Sequence, residues 1–329
     1  MKPASSIGWR AAAAALIVLG LARSAAAETI TVTHWGAAFY GAPYAVAMAK
    51  GFFKQRGVDV TGVLTSTGGG TSVRNTLAGD LPYGEVALSA AVEAIRAGQP
   101  LKIVCAGAES IADILWIAKP DSPLNSIKDI VGKKIGYTSP GSVTNMLILM
   151  AMKAQGIDAS SVTLVPAGGI GANLTAVLSG AIDAGMTGEP VWSQEKSKVK
   201  PVFWTKDVLP PDMTQTVGIV TDELAKAGPE KIRAIIAGRR EGVKYIEAHP
   251  EEAADIVART YGNLDPALTR EVFRHFLEIK YWSEGALNYA AMDRMMEGLK
   301  IVGKLKEPVD WQKVTDVSFL PQDLQARTH

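Results

Sequence analysis

The sequence predicts an α/β protein of two similar lobes that face each other across a ligand cleft. Three observations point there. The first is a phrase written twice. Lys54-Gln55-Arg56-Gly57-Val58-Asp59 leads through an apolar run to Leu64, then Gly68-Gly69, a short helix and Leu77-Ala78-Gly79. The same plan returns as Lys153-Ala154-Gln155-Gly156-Ile157-Asp158, an apolar run to Val165, Gly168-Gly169, a short helix and Leu178-Ser179-Gly180. A period of about a hundred residues is too long for a solenoid and suits two α/β lobes. The second observation is the close alternation of strand and helix patterns, which calls for parallel sheets with crossover helices. The third is a helical tail: after Pro229 every apolar spacing is that of a helix.

The elements follow in order. Thr29 to Thr33 alternates β-branched residues and predicts the first strand, with His34-Trp35-Gly36 as its exit loop. Pro43 opens a helix that ends before Gly51, with proline early and glycine late as helices prefer. Val58 to Leu64 is the second strand, and Thr65 to Gly70 a loop into a helix over Thr71 to Leu77. Val86 to Leu88, Leu101 to Ala106 and Ile114 to Ala118 read as three more strands, with a helix from about Ala90 after the first of them. Lys119-Pro120-Asp121-Ser122-Pro123 is the expected first crossover. The second lobe then has strands at Ile135 to Tyr137, Val162 to Val165, Ala184 to Met186 and Val202 to Trp204, with helices over Val143 to Ala154 and Ala172 to Leu178. Thr216 to Val220 returns the chain to the first lobe. The expected division is 28–118 with 214–329 as lobe 1 and its C-terminal helices, and 119–213 as lobe 2.

Composition narrows the function. Lys+Arg 34 against Asp+Glu 33 leaves a net charge of +1 over 329 residues, so there is no basic field for nucleic acid. Lys2 and Arg10, the apolar run from Ala11 to Leu21 and Ala25-Ala26-Ala27 read as a cleaved export signal over 1–27, and the run is short for a bilayer span. No cysteine near Ala27 offers a lipid anchor. Cys105, the single cysteine, lies in an apolar run and is expected to be a buried, inert thiol.

Ligands of open parallel sheets sit beyond the carboxyl ends of the strands, where helix N-termini present unpaired N–H groups. Ser139, Gly141, Ser142 and Thr144 form such a loop in lobe 2, and Thr67, Gly68, Gly69 and Thr71 its counterpart in lobe 1. Trp35, Gly36 and Tyr40 form an aromatic loop that could cover a flat ligand. Glu189, with Trp192 beyond it, ends the last strand of lobe 2 and could hold a ligand hydroxyl or amine. Each of these is also consistent with ordinary caps, turns and packing. Catalytic patterns do not emerge. His34, His249, His275 and His329 are not at metal-ligand spacing, no histidine pairs with Cys105, and neither a nucleophile elbow nor a phosphate-binding loop occurs.

Ala45 to Val60, Leu77-Ala78-Gly79 through Gly84, Gly132-Lys133-Lys134-Ile135-Gly136, Pro140-Gly141-Ser142 and Asp183 through Glu189-Pro190 together resemble the periplasmic substrate-binding proteins of ABC importers, in the nitrate/sulfonate/taurine group that also holds thiamine-pyrimidine binders. The resemblance covers about Thr29 to Val220. It implies a type II periplasmic binding protein fold, with a two-stranded hinge, and places Ser89 at the cleft with the loops named above. It also implies a periplasmic, non-enzymatic monomer without cofactor or metal, whose partners are a small organic solute and an inner-membrane ABC permease. Leu88 and Ser89 stand where some aminosulfonate binders carry an acid, which weighs against taurine. The expected ligand is a small organic anion, a sulfonate or carboxylate, aromatic if Trp35 stacks on it. The alternative is a neutral heterocycle such as a thiamine-type pyrimidine. An enzyme resembling thiamine-pyrimidine synthases is a third reading, against which the single cysteine and the export signal both argue.

Overall fold

A computed structural model of the protein describes residues 28–262 and 264–329; the expected export signal over 1–27 lies outside them. The described residues contain ten strands: β1 (Glu28–Val32), β2 (Val60–Leu64), β3 (Tyr83–Ala87), β4 (Leu101–Ala106), β5 (Leu115–Ala118), β6 (Lys134–Tyr137), β7 (Thr163–Pro166), β8 (Ala184–Thr187), β9 (Lys200–Trp204) and β10 (Thr216–Thr221). They form two five-stranded sheets, in the orders β2-β1-β3-β10-β4 and β7-β6-β8-β5-β9. The duplicated phrase accounts for the matching halves: β1, β2 and β3 are parallel in one sheet, and β6, β7 and β8 in the other.

Neither sheet is wholly parallel. β10 runs antiparallel to β3 and β4, and β5 antiparallel to β8 and β9. The parallel strands all end at the cleft. A strand that arrives from the opposite lobe enters at that same edge, and so must run the other way. Sequence pattern reports apolar strands but not their direction.

The expected lobe boundary after residue 118 therefore moves upstream. Leu115 to Ala118 pair within the second sheet, so the first crossover is the stretch 107–114, and Lys119 to Pro123 is a turn inside lobe 2. The return crossover, 205–215, lies against the first. Gln215 N donates to Ala108 O (2.7 Å), Ile111 N to Pro211 O (2.9 Å) and Thr205 Oγ1 to Ile114 O (2.9 Å). These bonds tie the two crossovers into one hinge.

The core of lobe 1 is closed by the helix Pro229–Ala248, which packs on the helix Ala42–Ala49. Gly242 allows that approach, because a Cβ there would run into the Pro43 carbonyl. The same helix buries Arg239, whose Nε donates to Glu85 Oε2 (2.8 Å) and whose Nη1 donates to Ser283 O (2.7 Å). Thr216 Oγ1 donates to the other Glu85 oxygen at 2.7 Å, so both carboxylate oxygens are satisfied in the dry centre of the sheet. Such pairs add little net stability but are costly to break. Cys105 lies beside this network, buried, with its thiol pushed up by burial.

The tail helix Tyr289–Ile301 touches both lobes. It packs against Leu88–Arg96 of lobe 1 and Val143–Ala154 of lobe 2. At Gly298 a Cβ would lie 2.6 Å from the Cβ of Met146, so glycine sets the closeness of that contact.

Candidate functional site

A cavity lies between the lobes, where β1 and β3 of lobe 1 and β6 and β8 of lobe 2 end. Its enclosed volume is only about 30 Å³, room for little more than a water molecule. The lobes are thus drawn nearly shut. A ligand of ring size requires them to open for entry and to settle slightly wider around it.

Five of the site residues expected from sequence line this cavity: Tyr40, Gly69, Ser142, Thr144 and Glu189. Ser142 caps the helix Val143–Ala154, its Oγ accepting from Asn145 N at 3.2 Å. Thr144 Oγ1 accepts from Thr138 N (3.0 Å) and pairs with Thr138 Oγ1 (2.9 Å). These hydroxyls mostly hold the loop, and the first two helical N–H groups, at Val143 and Thr144, have no partner within the helix. Glu189 is buried and follows β8; its oxygens accept from Ser193 Oγ (2.9 Å) and Ser193 N (3.2 Å), and burial pushes its carboxyl up. The Glu189–Pro190 peptide is cis.

Other expected residues form the seam where the lobes meet rather than the cavity wall. Ser89 is fully buried, and its Oγ donates across the cleft to Gly141 O at 2.7 Å. The helix carrying it begins at Leu88 rather than Ala90, which puts Ser89 in the first turn, aimed at lobe 2. Gly68 faces Ser139, since a Cβ at Gly68 would lie 3.2 Å from Ser139 Oγ. Thr67 faces Gly169 at the same separation. Thr71 is exposed and accepts from Arg74 Nη2 at 2.8 Å. The two tryptophans point elsewhere. Trp35 packs edge-on against Tyr261 at 4.8 Å, with Gly36 beside that same ring. Trp192 packs edge-on against Trp204 at 5.7 Å, in a small apolar cluster of lobe 2. Aromatic stacking on Trp35 is not available in this arrangement.

The rest of the wall carries no site signal in the sequence apart from His34, a member of the aromatic loop with Trp35 and Tyr40, and Thr138, at the start of the lobe 2 loop. Thr33 and His34 follow β1 directly. Thr33 Oγ1 and His34 Nδ1 are buried with no hydrogen-bond partner. His34 has φ 51, in the left-handed region, so the strand breaks there and its ring is turned inward. Burial pushes the imidazole down to about 4, which keeps it neutral at physiological pH.

Asp113 comes from the first crossover. It is buried, and burial pushes its carboxyl up to about 7, with nearby Glu189 acting in the same direction. Gln215, from the second crossover, donates from Nε2 to Asp113 Oδ1 at 3.1 Å and accepts from Tyr40 OH at 2.5 Å. A polar chain thus runs from the aromatic loop through one crossover to the other. The strand-end rule could have found Thr33, Thr138 and the turn at Gly188. It could not find Asp113, because that residue precedes an antiparallel strand.

No lysine or arginine is among the cavity's lining residues, whereas two carboxyl groups are. Among the described residues no cluster of three His, Cys, Asp or Glu side chains is placed to hold a metal ion, and no helix is long and apolar enough to cross a membrane.

The two lobes, the paired crossovers and the cavity at the strand ends define a type II periplasmic binding protein fold. Residues 38–253, more than half of the chain, match the family described as "NMT1/THI5 like", and the chain belongs to that family. The riboflavin-binding protein RibY of Chloroflexus aurantiacus is 25% identical over 313 residues, covering 85% of this chain and 82% of that protein. A 4-amino-5-hydroxymethyl-2-methylpyrimidine phosphate synthase of Legionella pneumophila is 24% identical, covering 88% and 90%. The alkanesulfonate-binding protein SsuA of Xanthomonas axonopodis pv. citri, solved bound to MOPS, superposes with a TM-score of 0.73 at 16% identity, covering 88% of this chain and 98% of that one.

Proposed function

We propose that the protein is an extracytoplasmic solute-binding receptor that carries a neutral heterocycle to a membrane ABC permease as a monomer and performs no covalent chemistry on it. The observation that carries the ligand class is the charge of the cavity wall, two carboxyl groups and no cation. A sulfonate or carboxylate would have to leave water and lie beside Asp113 and Glu189 with only helix N–H groups in compensation. A neutral ring carries no such cost. It can meet the unpartnered Thr33 Oγ1 and His34 Nδ1 and the apolar surfaces of Ile114, Ile170 and Met186. The relatives named for riboflavin and for a pyrimidine phosphate agree with a ring-shaped ligand, and the relative named for alkanesulfonates belongs with the anion reading.

The receptor role rests on the fold and the family, in which ligand contacts made by both lobes favour the closed form. Against the synthase-like enzyme reading stand two features of the cavity. His34, kept neutral down to about pH 4, is a poor general base, and Cys105 lies in the lobe 1 core, away from the cavity.

The test is mass spectrometry of small molecules released by denaturing the purified protein, followed by thermal shift with riboflavin, uracil, 4-amino-2-methylpyrimidine and ethanesulfonate. Ligand at a hundred times its Kd stabilises by about 2.7 kcal/mol, well within detection. Stabilisation by a neutral heterocycle and not by ethanesulfonate is expected; the reverse pattern restores the anion reading.

A further inference from the structure

We propose that Asp113 is the specificity-determining residue of the cavity, accepting a hydrogen bond from an N–H group on the ring or its exocyclic nitrogen and registering the ligand at the hinge. This rests on the neutral-heterocycle reading above. Three observations carry it.

First, Asp113 is a buried carboxyl in the cavity wall with one oxygen already assigned. Oδ1 accepts from Gln215 Nε2, which in turn is fixed by Tyr40 OH and by the backbone oxygen of Ser110. Oδ2 lies on the other side, against Gly188, where an added Cβ would be 3.6 Å away. Gly188 also lines the cavity, so Oδ2 borders the ligand space, and the buried Tyr281 hydroxyl, which has no geometric hydrogen-bond partner of its own, lies near the same carboxyl. The carboxyl cannot rotate freely, because Gln215 holds its orientation.

Second, the groups around it are matched to a ring with polar edges. His34 is neutral, with Nδ1 unpartnered, and Thr33 Oγ1 can donate or accept. A carboxyl pushed up to about 7 can accept from N–H when ionised or donate to a ring nitrogen when protonated. Side-by-side N–H and N groups, as on an aminopyrimidine edge, suit it in either state.

Third, Asp113 is on the hinge. It precedes β5 in one crossover, Gln215 precedes β10 in the other, and the bond between them joins the two segments whose torsions must change when the lobes move. A ligand that engages Oδ2 therefore acts on the hinge directly.

The test uses a consequence of the Gln215 bond. In Asp113→Asn the amide oxygen stays with Gln215 Nε2, which turns the amide NH2 toward the cavity. A donor then meets a donor. The probes are 4-amino-2-methylpyrimidine, its 4-dimethylamino analogue without an exocyclic N–H, and 4-methoxy-2-methylpyrimidine, which offers only acceptors, each titrated by calorimetry at pH 7.5. The wild type is expected to prefer the amino probe over the dimethylamino one. Asp113→Asn is expected to lose the amino probe at least tenfold, a buried hydrogen bond to a charged group being worth about that or more. It should bind the methoxy probe at least as tightly as the wild type does. Unchanged affinity of Asp113→Asn for the amino probe overturns the role of Asp113 while leaving the heterocycle reading in place. A wild type that binds ethanesulfonate and none of the pyrimidines overturns both. Asp113→Ala, which frees Gln215 as well, separates the two effects: it should weaken the amino probe without improving the methoxy one, and equal gains for both would refute the orientation argument.

Discussion

Removing one hydroxyl, in Ser89→Ala, should open the protein. Ser89 Oγ donates to Gly141 O at 2.7 Å, and Ser89 is fully buried in the seam between lobes. In the open form water can solvate both groups, so their loss costs nothing there. In the closed form the Gly141 carbonyl is left dry and unpaired. Leaving a buried acceptor without its partner costs about 1–2 kcal/mol, and the whole of that falls on one side of the equilibrium. At 1.4 kcal/mol per factor of ten, the closed population should fall relative to the open one by about 5- to 30-fold. Where closure is needed for binding, apparent affinity falls with the closed fraction. Single-molecule energy transfer between dyes on cysteines placed at exposed Gln99 of lobe 1 and Ser160 of lobe 2 would report the shift, and titration of a ligand found by mass spectrometry would report the affinity. An interlobe distance distribution that is the same in Ser89→Ala and the parent protein, with and without ligand, would refute the latch.

Three further outcomes are expected. Arg239→Met should destabilise the fold by about 3–5 kcal/mol, because it strands the fully buried Glu85; adding Glu85→Leu should recover much of the loss in denaturant titrations, and additive losses would argue against the pair. The Asp113 carboxyl is raised from 3.8 to about 7, so its ionisation penalises the folded state increasingly as pH rises from about 4 to 7 and by a constant amount above; Asp113→Asn should match the parent near pH 4 and exceed its stability by up to about 4 kcal/mol at pH 8, and a gap independent of pH would contradict the assignment. Gly242→Ala should cost about 1–3 kcal/mol, since the new Cβ would lie 3.0 Å from the Pro43 carbonyl carbon and neither helix can yield without losing its packing; an unchanged Tm would show that the helices separate easily.

Legibility differed by type of information. Every strand among the described residues overlaps a β-branched or apolar run, although β3 starts at Tyr83, ahead of the expected Val86, and stops before Leu88; the duplicated Gly-Gly and Leu-x-Gly signals mark both halves, because such features are local and their chemistry is visible residue by residue. Helices that are short or polar, such as Val191–Glu195 and Asp222–Ala227, carry too few apolar positions to show a period and were not expected. At the site, Ser142, Thr144, Tyr40, Gly69 and Glu189 could be marked as strand-end and helix-start residues. The direction of Trp35 could not, since what turned it aside is Tyr261, more than two hundred positions along the chain.

Two α/β halves, a helical tail and the loops that could face each other are legible in the chain, since repeats, turns and periodicity are properties of neighbouring residues. Folding in three dimensions added that β5 belongs to the second sheet, that Ser89 and Gly141 meet, and that Asp113 joins Glu189 in a cavity wall whose lining residues include no lysine or arginine. Those outcomes depend on which distant segments share a dry interior. There the cost of leaving a polar group unpaired, rather than any local preference, selects the partner.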